Sequence, residues 1–351
     1  MLHAAPALVE FAHVVLRHHG VDDRVARDTA EVLVEGDLLG HTTHGLQLLP
    51  RYLAGVLGGA LTRAGEPLTV ADSGASFTWD GNYLPGPHLV RRAIAECLQR
   101  LGKAPVVTAV LRRSGHIGCL AVYALAVAEQ GYVIMLCSSD PAVAPVAPHG
   151  ATEGRLTPNP IAAGWPTDGD PVFLDVCPST TTAGMVGRSA RAGTALGGDW
   201  LIGVDGVPSS DPGIFQREGG GAILPLGGTD LGHKGFALAL MVEALTMGLG
   251  GFGRADGVAQ DGAAVWLQII DPLGFGGEAA FRREAGWTAT SCTEARPVPG
   301  GPAVRLPGAR GLALKRRQLA EGVALHQDTI NALVALAADT GLPFPASIAE
   351  D

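Results

Sequence analysis

The stretch APVVTAVLRRSGHIGCLAVYALAVAEQGYVIMLCSS, residues 104–139, determines the class of fold. Its two ends, APVVTAVL and YVIMLCSS, are short runs rich in β-branched and other apolar residues, which is typical of buried strands. The longer apolar run between them, CLAVYALAVAEQG, predicts a helix. This strand–helix–strand order predicts an α/β core.

Helical patterns flank this unit at both ends of the chain. Apolar residues recur at helical spacing in residues 5–60 and again in the last forty residues. Further strands are predicted for PLTVADS, ASFTWDG, FLDV and AAVWLQIID, and further helices for HLVRRAIAECLQRLG, STTTAGMVGRSARAG and KGFALALMVEALTM. The many prolines of residues 140–170 argue against a regular element there. We expect residues 1–62 to form a helical segment packed with helices of residues 309–351, around an α/β core at 63–308.

Composition excludes several classes of protein. The chain has 351 residues, 47% of them hydrophobic, with 25 basic and 34 acidic residues and a formal charge of −9. Such a chain is not disordered, and its negative charge argues against binding to nucleic acid. It contains no apolar run long enough to cross a membrane. Its five cysteines form neither a zinc spacing nor a disulfide framework, so we expect a cytoplasmic protein.

The common nucleotide and metal motifs are missing. The one GxGxxG match, at Gly248, Gly250 and Gly253, follows a helical pattern instead of a strand, so it is not a Rossmann fingerprint. No P-loop and no HExxH helix occurs. His41 and His44 have a spacing that two metal ligands on one helical face would share, but no third ligand is near them in sequence. We therefore predict no metal.

Three histidines lie among small residues that leave a side chain accessible. They occur in Thr43-His44-Gly45, in Ser114-Gly115-His116 and in Gly232-His233-Lys234. Imidazole gives and takes protons near neutral pH, so these histidines are candidates for acid–base chemistry.

Three other residues are candidates for binding. Lys234 is expected in a glycine-framed turn at a helix N-terminus, where backbone N–H groups favour a phosphate. Asp175 ends the strand FLDV, where it serves either as a helix cap or as a ligand contact. Asn159 lies between two prolines, and its rigid backbone suits either a turn or the orientation of a ligand.

Seven stretches carry a resemblance when they are taken together. They are GDLLGHTTHGLQLLPRYL, RSGHIGCLAVYALAVAEQG, the proline loop through TPNPIA, FLDVCPS, LGHKGFALALMVE, DPLGFGG and VRLPG, spanning about residues 36–310 in order. Each is weak alone, but the ordered set resembles the malate/L-lactate dehydrogenase family of the non-Rossmann type. That family also includes ureidoglycolate, sulfolactate and diketogulonate dehydrogenases and cyclic ketimine reductases.

The resemblance implies a fold, a cofactor and a reaction. The fold is the α/β mixed-sheet NAD(P)-binding fold of this family, which is not a Rossmann fold and is flanked by N- and C-terminal helices. The implied cofactor is NAD or NADP, and the implied assembly is a homodimer with its active site near the subunit interface. The reaction interconverts a small 2-oxo acid and its 2-hydroxy acid. Arg310 is a candidate contact for the 2′-phosphate of NADP.

The resemblance also assigns residues. His44 matches the histidine that donates the proton, and Thr43 stands where the family usually has serine. His116 matches a second histidine to which some members assign the proton transfer. Asn159 matches a substrate-binding asparagine. The positions that match cofactor contacts are His116, Ile117, Gly118, Asp175, Val176, Cys177, His233, Lys234 and Gly308.

Two departures bear on the substrate. Leu48 stands where the family usually has an arginine that binds the substrate carboxylate, and Arg51 or the Arg112–Arg113 pair are possible replacements. Ala183-Gly184-Met185 lacks the carboxylate of the ketimine reductases. Reduction of a cyclic imino acid is therefore the alternative reaction, and a non-catalytic, cofactor-binding dimer is the alternative of another class.

Overall fold

The computed structural model describes residues 2–217 and 219–348. The helices are α1 Ala5–His18, α2 Asp23–Leu38, α3 Leu49–Leu57, α4 Gly86–Arg100, α5 Leu120–Ala128, α6 Ala183–Ala192, α7 Gly228–Glu243, α8 Glu278–Thr293, α9 Ala309–Glu321 and α10 Gln327–Thr340. The strands are β1 Leu2–His3, β2 Leu68–Asp72, β3 Ser76–Asp80, β4 Val106–Ser114, β5 Val133–Ser139, β6 Ile161–Trp165, β7 Val172–Val176, β8 Leu201–Gly203, β9 Pro208–Ser209, β10 Gly221–Ile223, β11 Ala263–Ile270 and β12 Val323–Ala324.

A mixed sheet of seven strands forms the centre of the molecule, in the order β2-β3-β4-β11-β5-β6-β7. Only β3 and β4 run parallel, and the other neighbouring pairs in this sheet are antiparallel. A Rossmann fold needs a mostly parallel sheet. The expected α/β, non-Rossmann fold with a mixed sheet is therefore confirmed.

Both faces of the sheet are covered, which explains why its central strands are largely apolar. β11 has an almost continuous apolar sequence and is buried along most of its length. Helices α4 and α5 pack on one face, where α5 is buried nearly all round. The end of α7 and the π-helical turn that continues it, Ala244–Gly248, pack on the other. A strand covered on both faces cannot alternate polar and apolar residues.

Helices from both ends of the chain share one apolar cluster beside the sheet. The cluster contains residues of α1, α2 and α3 together with Val323, Leu333 and Ala337. The short strand β1 pairs with β12, and this pairing ties residues 2–3 to residues 323–324. The loop that carries His44 joins α2 to α3 and therefore rests on this cluster.

Several elements differ from the sequence-based expectations. The proline-rich region does contain a strand, β6, because two of its prolines lie just before that strand and one follows it. Helix α7 begins at Gly228, several residues before the expected start. The exposed helix α8 and the small sheet β10-β8-β9, which packs with α6, were not anticipated.

Among the residues described, no helix has the length and apolar character that a membrane crossing requires.

Candidate active site

The loop between α2 and α3 is folded over a buried carboxyl group. Asp37, near the end of α2, is 3% exposed, and its Oδ2 accepts a hydrogen bond of 2.7 Å from the Leu46 backbone N–H. A Cβ atom at Gly45 would overlap the Asp37 carboxyl, so only glycine fits there. Burial raises the pKa of Asp37 to about 7, although the Leu46 N–H opposes this shift. Asp37 thus fixes the backbone on the C-terminal side of His44.

His44 lies in this loop with one ring nitrogen held and the other free. Its Nδ1 is 2.9 Å from the Thr43 hydroxyl, and its Nε2 makes no hydrogen bond within the described residues. Burial lowers the pKa of His44, while the nearby Asp175 carboxylate acts in the opposite direction. The predicted partnership of Thr43 with His44 therefore has a geometric basis, and Nε2 is the nitrogen available to a substrate.

His116 faces His44 from the segment between β4 and α5. The two rings are stacked, with centroids 5.7 Å apart and 24° between their planes. The Nδ1 of His116 accepts a hydrogen bond of 3.1 Å from the Gly118 backbone N–H, which assigns the proton to Nε2. Burial, together with smaller effects of His44 and Arg51, lowers the pKa of His116 to about 3. His116 is therefore uncharged at neutral pH.

Tyr52 connects the two histidine segments. Its hydroxyl donates to the His116 backbone carbonyl, and its ring lies 6.4 Å from the His116 ring. Burial raises the pKa of this hydroxyl well above its usual value, so Tyr52 remains a hydrogen-bond donor. Tyr52 thus positions His116 relative to α3.

Arg51 is occupied by a carboxylate. It forms an ion pair with Asp261, which is hydrogen-bonded to Asp140. Burial and that hydrogen bond raise the pKa of Asp140 to about 7. Burial opposes ionisation of Asp261, but the Asp140 hydrogen bond and the Arg51 charge outweigh it and lower the Asp261 pKa. Arg51 therefore lies near His116 with its charge already balanced.

The other proposed substitutes for the missing arginine point elsewhere. Arg112 and Arg113 both donate to the buried Asp80 carboxylate, at 3.0 and 2.8 Å. Leu48 is partly buried against the helical cluster of the two chain ends. Neither the Arg112–Arg113 pair nor Leu48 offers a free positive charge beside His44.

The segments predicted to contact the cofactor lie next to one another at the end of β7. The Oδ2 atom of Asp175 accepts from the Ala121 backbone N–H at 3.0 Å and from the Cys119 thiol at 3.7 Å. This contact joins the end of β7, with Val176 and the following Cys177, to the segment containing Ile117 and Gly118. Asp175 therefore does not cap the helix that follows β7, because Thr182 caps α6; it accepts from the first turn of α5 instead. Its Oδ1 has no partner among the described residues, so Asp175 stays a candidate ligand contact.

Three close contacts extend this neighbourhood to α7. Pro178, just after Cys177, accepts a hydrogen bond from the Leu226 backbone N–H at 2.9 Å. Leu226 in turn accepts from the Gly235 N–H, inside α7. The rings of His149 and His233 lie 5.8 Å apart beside this contact.

The prediction of a turn around Lys234 is wrong. Gly232-His233-Lys234-Gly235 lies within α7, because the helix already begins at Gly228. The two glycines are instead needed for close packing against His149, Pro225 and Leu226. Lys234 and His233 are exposed on the helix surface. Lys234 therefore does not lie at a helix N-terminus, and the free N–H groups of such an end do not help it to bind a phosphate.

Gly308 has a packing requirement of its own. Its φ is +81°, and a Cβ atom there would lie 2.6 Å from the Phe173 ring and 2.7 Å from the Phe173 carbonyl. Since Phe173 is in β7, this glycine brings the start of α9 against the strand that contains Asp175. Its proximity to β7 places it beside the other cofactor candidates.

Asn159 belongs to a buried polar network. It is fully buried with φ of +51°, its Nδ2 donates to the Ala239 carbonyl at 3.1 Å and to Glu243 at 3.0 Å, and its Oδ1 accepts from Thr157. Glu243 also accepts from Ser139 and pairs with Arg254. These bonds give Asn159 a structural role, and its contact with substrate stays a prediction.

His41 has different neighbours from those that its spacing suggested. His41, Cys119 and Asp175 place one potential ligand atom each within 4.8 Å of one another, whereas His44 pairs with His116. Burial raises the pKa of the Cys119 thiol well above its usual value, which keeps the sulfur protonated as a donor to Asp175.

Sequence reasoning missed Asp37, Tyr52, Glu243 and Asp261. Asp37 could have been found from the sequence, because it is an acidic residue on the apolar face of α2, where charged residues are rarely buried without a partner. The pairing of Glu243 with Asn159 and that of Asp261 with Arg51 join residues 84 and 210 positions apart, so no local pattern indicates them.

The cofactor candidates suit a dinucleotide. Asp175 has one carboxylate oxygen free to accept from a ribose hydroxyl, and the exposed Lys234 offers a cation to a phosphate. Gly118 and Gly308, both with positive φ, lie on segments that contact the strand containing Asp175. The donor and acceptor set therefore fits NAD or NADP.

Comparison with known proteins identifies the family. The family model for malate/L-lactate dehydrogenase matches residues 4–334. The chain is 31% identical over 309 residues to L-lactate dehydrogenase of Cupriavidus necator, covering 85% of this chain and 86% of that one. It is 30% identical to Δ1-pyrroline-2-carboxylate/Δ1-piperideine-2-carboxylate reductase of Pseudomonas syringae pv. tomato, covering 95% of each.

A solved structure agrees with this result. The structure of malate dehydrogenase from Pyrococcus horikoshii superposes with a TM-score of 0.88 at 24% identity and covers 98% of this chain and 97% of that one. At this identity the match shows the fold alone. The family model and the two sequence relatives show more: the chain belongs to the malate/L-lactate dehydrogenase family of NAD(P)-dependent oxidoreductases.

Proposed function

We propose that this chain interconverts a small 2-oxo acid and its 2-hydroxy acid, with His44 as the acid–base catalyst. The observation that carries the proposal is the pair of facing histidines with opposite hydrogen-bond arrangements. His44 has a free Nε2, and His116 has its Nδ1 satisfied by the Gly118 N–H. The two rings thus offer one proton-transfer group and one fixed donor.

His44 is the better candidate for proton transfer. In the direction of reduction, protonated His44 gives the Nε2 proton to the substrate oxygen. NAD(P)H, when bound, would supply the hydride to the substrate carbon. In oxidation, neutral His44 takes that proton back. Asp175 favours the protonated form, and the Thr43 hydroxyl holds the ring in place.

His116 is a poor acid at neutral pH because its pKa is about 3. Its Nε2–H is still a hydrogen-bond donor, and a neutral donor polarises a carbonyl without losing its proton. Tyr52 and Gly118 fix the orientation of that donor. We therefore assign to His116 the role of orienting the substrate oxygen.

Reduction of a cyclic imino acid is the second candidate. The similarity to the pyrroline and piperideine carboxylate reductase over 95% of both chains favours it. The exposed Met185, in a segment without a carboxylate, disfavours it, because a carboxylate supports the histidine in the ketimine reductases that the sequence resembles.

The remaining features complete the proposal. Asp175, Lys234 and the backbone at Gly118 and Gly308 would hold the cofactor, and the exposed Arg310 follows Gly308 as a candidate for the NADP phosphate. A homodimer is proposed because α8 has no buried residue and leaves Trp287 68% exposed. The cytoplasmic location stays a prediction.

Cofactor oxidation tests the proposal. The purified enzyme is assayed with NADH and with NADPH against a panel of 2-oxo acids and cyclic imino acids. Turnover of an oxo acid supports the main proposal, and turnover of imines alone supports the second candidate. If cofactor binds but no member of the panel is reduced, the assigned substrate class is wrong.

A further inference from the structure

One arginine reaches the His44 loop from a distant helix. The NH2 group of Arg188, on α6, lies 3.1 Å from the Gln47 carbonyl oxygen and 3.4 Å from the Thr42 hydroxyl. These two residues flank His44, two positions before it and three after it. The contacts join positions more than 140 residues apart, so they reflect the folding of α6 against the loop.

Both partners of Arg188 are neutral. Within residues 2–217 and 219–348, no carboxylate lies at ion-pair distance from its guanidinium, and its Nε and NH1 groups make no hydrogen bond. The side chain is partly buried, and a guanidinium remains charged at any physiological pH. A half-buried cation without a counterion is a natural binding group for an anion.

The other arginines near the site are already neutralised. Arg51 pairs with Asp261, and Arg112 and Arg113 share Asp80. Leu48, the position next to Gln47, contributes no charge. Among these candidates, Arg188 is the arginine without a counterion in the described residues, and its contacts with Thr42 and Gln47 place its charge on the loop that carries His44.

We propose that Arg188 binds the substrate carboxylate in place of the arginine missing at position 48, with Thr42 and Gln47 as its positioning residues. The inference rests on the proposed function and narrows its substrate class. A single uncompensated guanidinium suits 2-oxo monocarboxylates, whose remaining carbon chain meets Leu48. A second carboxylate would find Arg51 already paired, so dicarboxylates are disfavoured.

The test compares Arg188→Gln with wild type on the best oxo-acid substrate and on its uncharged methyl ester. We expect KM for the acid to rise on the order of 30- to 100-fold, as for loss of a charge-assisted hydrogen bond. The ester should change less than about threefold, since it has no carboxylate to lose. Arg188→Lys should raise KM for the acid less than Arg188→Gln does, because lysine keeps the positive charge but lacks the paired N–H donors of the guanidinium.

Two controls separate binding from folding. Arg191→Gln, an exposed arginine on the same helix, should leave KM and kcat unchanged. The Kd for NAD(P)H, measured by quenching of protein fluorescence, should also be unchanged in Arg188→Gln. An equal loss on acid and ester would indicate a structural role and overturn the proposal.

The outcomes distinguish this inference from the function on which it rests. If wild type reduces oxo acids and Arg188→Gln keeps the wild-type KM, the Arg188 assignment is wrong while the function stands. If Arg51→Gln alone raises KM for the acid, Arg51 is the anchor. If wild type reduces no carbonyl acid at all, both proposals fail together.

Discussion

The imidazole rings of His44 and His116 stack with centroids 5.7 Å apart, although the residues are 72 positions apart in the chain. Each ring has its Nδ1 held by a different group, the Thr43 hydroxyl for His44 and the Gly118 N–H for His116. Two histidines at this distance do not both carry charge, since each lowers the tendency of the other to be protonated. The pair thus provides one titrating group and one neutral donor.

Replacement of His44 by alanine is expected to lower kcat by about 10²- to 10⁴-fold, the usual range for loss of an acid–base group. Cofactor affinity should stay within about threefold of wild type, since the cofactor candidates lie on other segments. Steady-state kinetics and fluorescence titration with NAD(P)H measure the two effects. If His116→Ala shows the larger loss of kcat and His44→Ala turns over normally, the roles are reversed.

The pH dependence should report His44. Burial lowers its pKa below the ordinary 6.5, so kcat/KM for reduction should fall as pH rises through a value below 6.5. Oxidation needs the neutral ring and should rise through the same value. Rates recorded from pH 5 to 9 in both directions check this expectation. His326→Gln, at an exposed histidine, is the matched control, and an inflection well above 6.5 would contradict the assignment.

Asp37 should make stability depend on pH. Its pKa is about 7 in the folded chain and lies near 3.8 when exposed, so the folded state holds a proton that the unfolded state has released. The folded chain therefore loses stability as pH rises from about 4 to 7. Asp37→Asn cannot ionise and keeps an acceptor for Leu46. The melting temperature of Asp37→Asn minus that of wild type should increase by at least about 2 °C from pH 5 to pH 8. A difference that stays constant would show that the Asp37 carboxyl is ionised over this whole pH range.

The Asn159 network should contribute to stability. Asn159→Ala removes the buried hydrogen bonds that this amide makes with Thr157, Glu243 and the Ala239 carbonyl, and we expect a loss of about 2–4 kcal/mol in the free energy of unfolding. Gln130→Ala is a suitable comparison because it removes an exposed amide with one hydrogen bond, and it should cost less than about 0.5 kcal/mol. Chemical denaturation of both variants measures the difference. Equal stability would mean that the network carries no net free energy.

Gly308→Ala should weaken the attachment of α9. The new Cβ would meet the Phe173 ring and carbonyl, and alanine is strained at a φ of +81°. A loss of about 2 kcal/mol or more is expected from these two effects. Gly300→Ala is the control, because that glycine also has a positive φ but faces open space. Similar losses in the two variants would show that backbone strain alone acts at Gly308.

Local patterns were sufficient for the main elements of the fold. The strands of residues 104–139 and their helix were predicted because apolar strands and apolar helices differ in length and in their content of β-branched residues. The error at Lys234 has a physical reason: Gly232 and Gly235 look like a turn in sequence, but packing against Pro225 and Leu226 keeps them inside a helix. Tertiary contacts there override the local preference of glycine.

The site was harder to predict than the fold. Ordered sequence segments marked His44 and His116 as candidates, but their stacking and their unequal pKa values follow from burial in the folded chain. Which arginine is free depends on partners far away in sequence, such as Asp261 for Arg51 and Asp80 for Arg113. No pattern along the chain distinguishes a neutralised arginine from an available one.

The contacts around Asp37 also bear on the order of events during synthesis. The Gln318 side chain donates to the backbone carbonyls of Asp37 and Leu38, and Leu333 and Ala337 complete the apolar cluster under the His44 loop. A nascent chain therefore contains its catalytic loop some 280 residues before the ribosome makes the residues that support it. The central sheet is already complete once β11 has emerged. Catalytic competence should consequently be acquired only after residues 318–337 have been made and have packed beneath this loop.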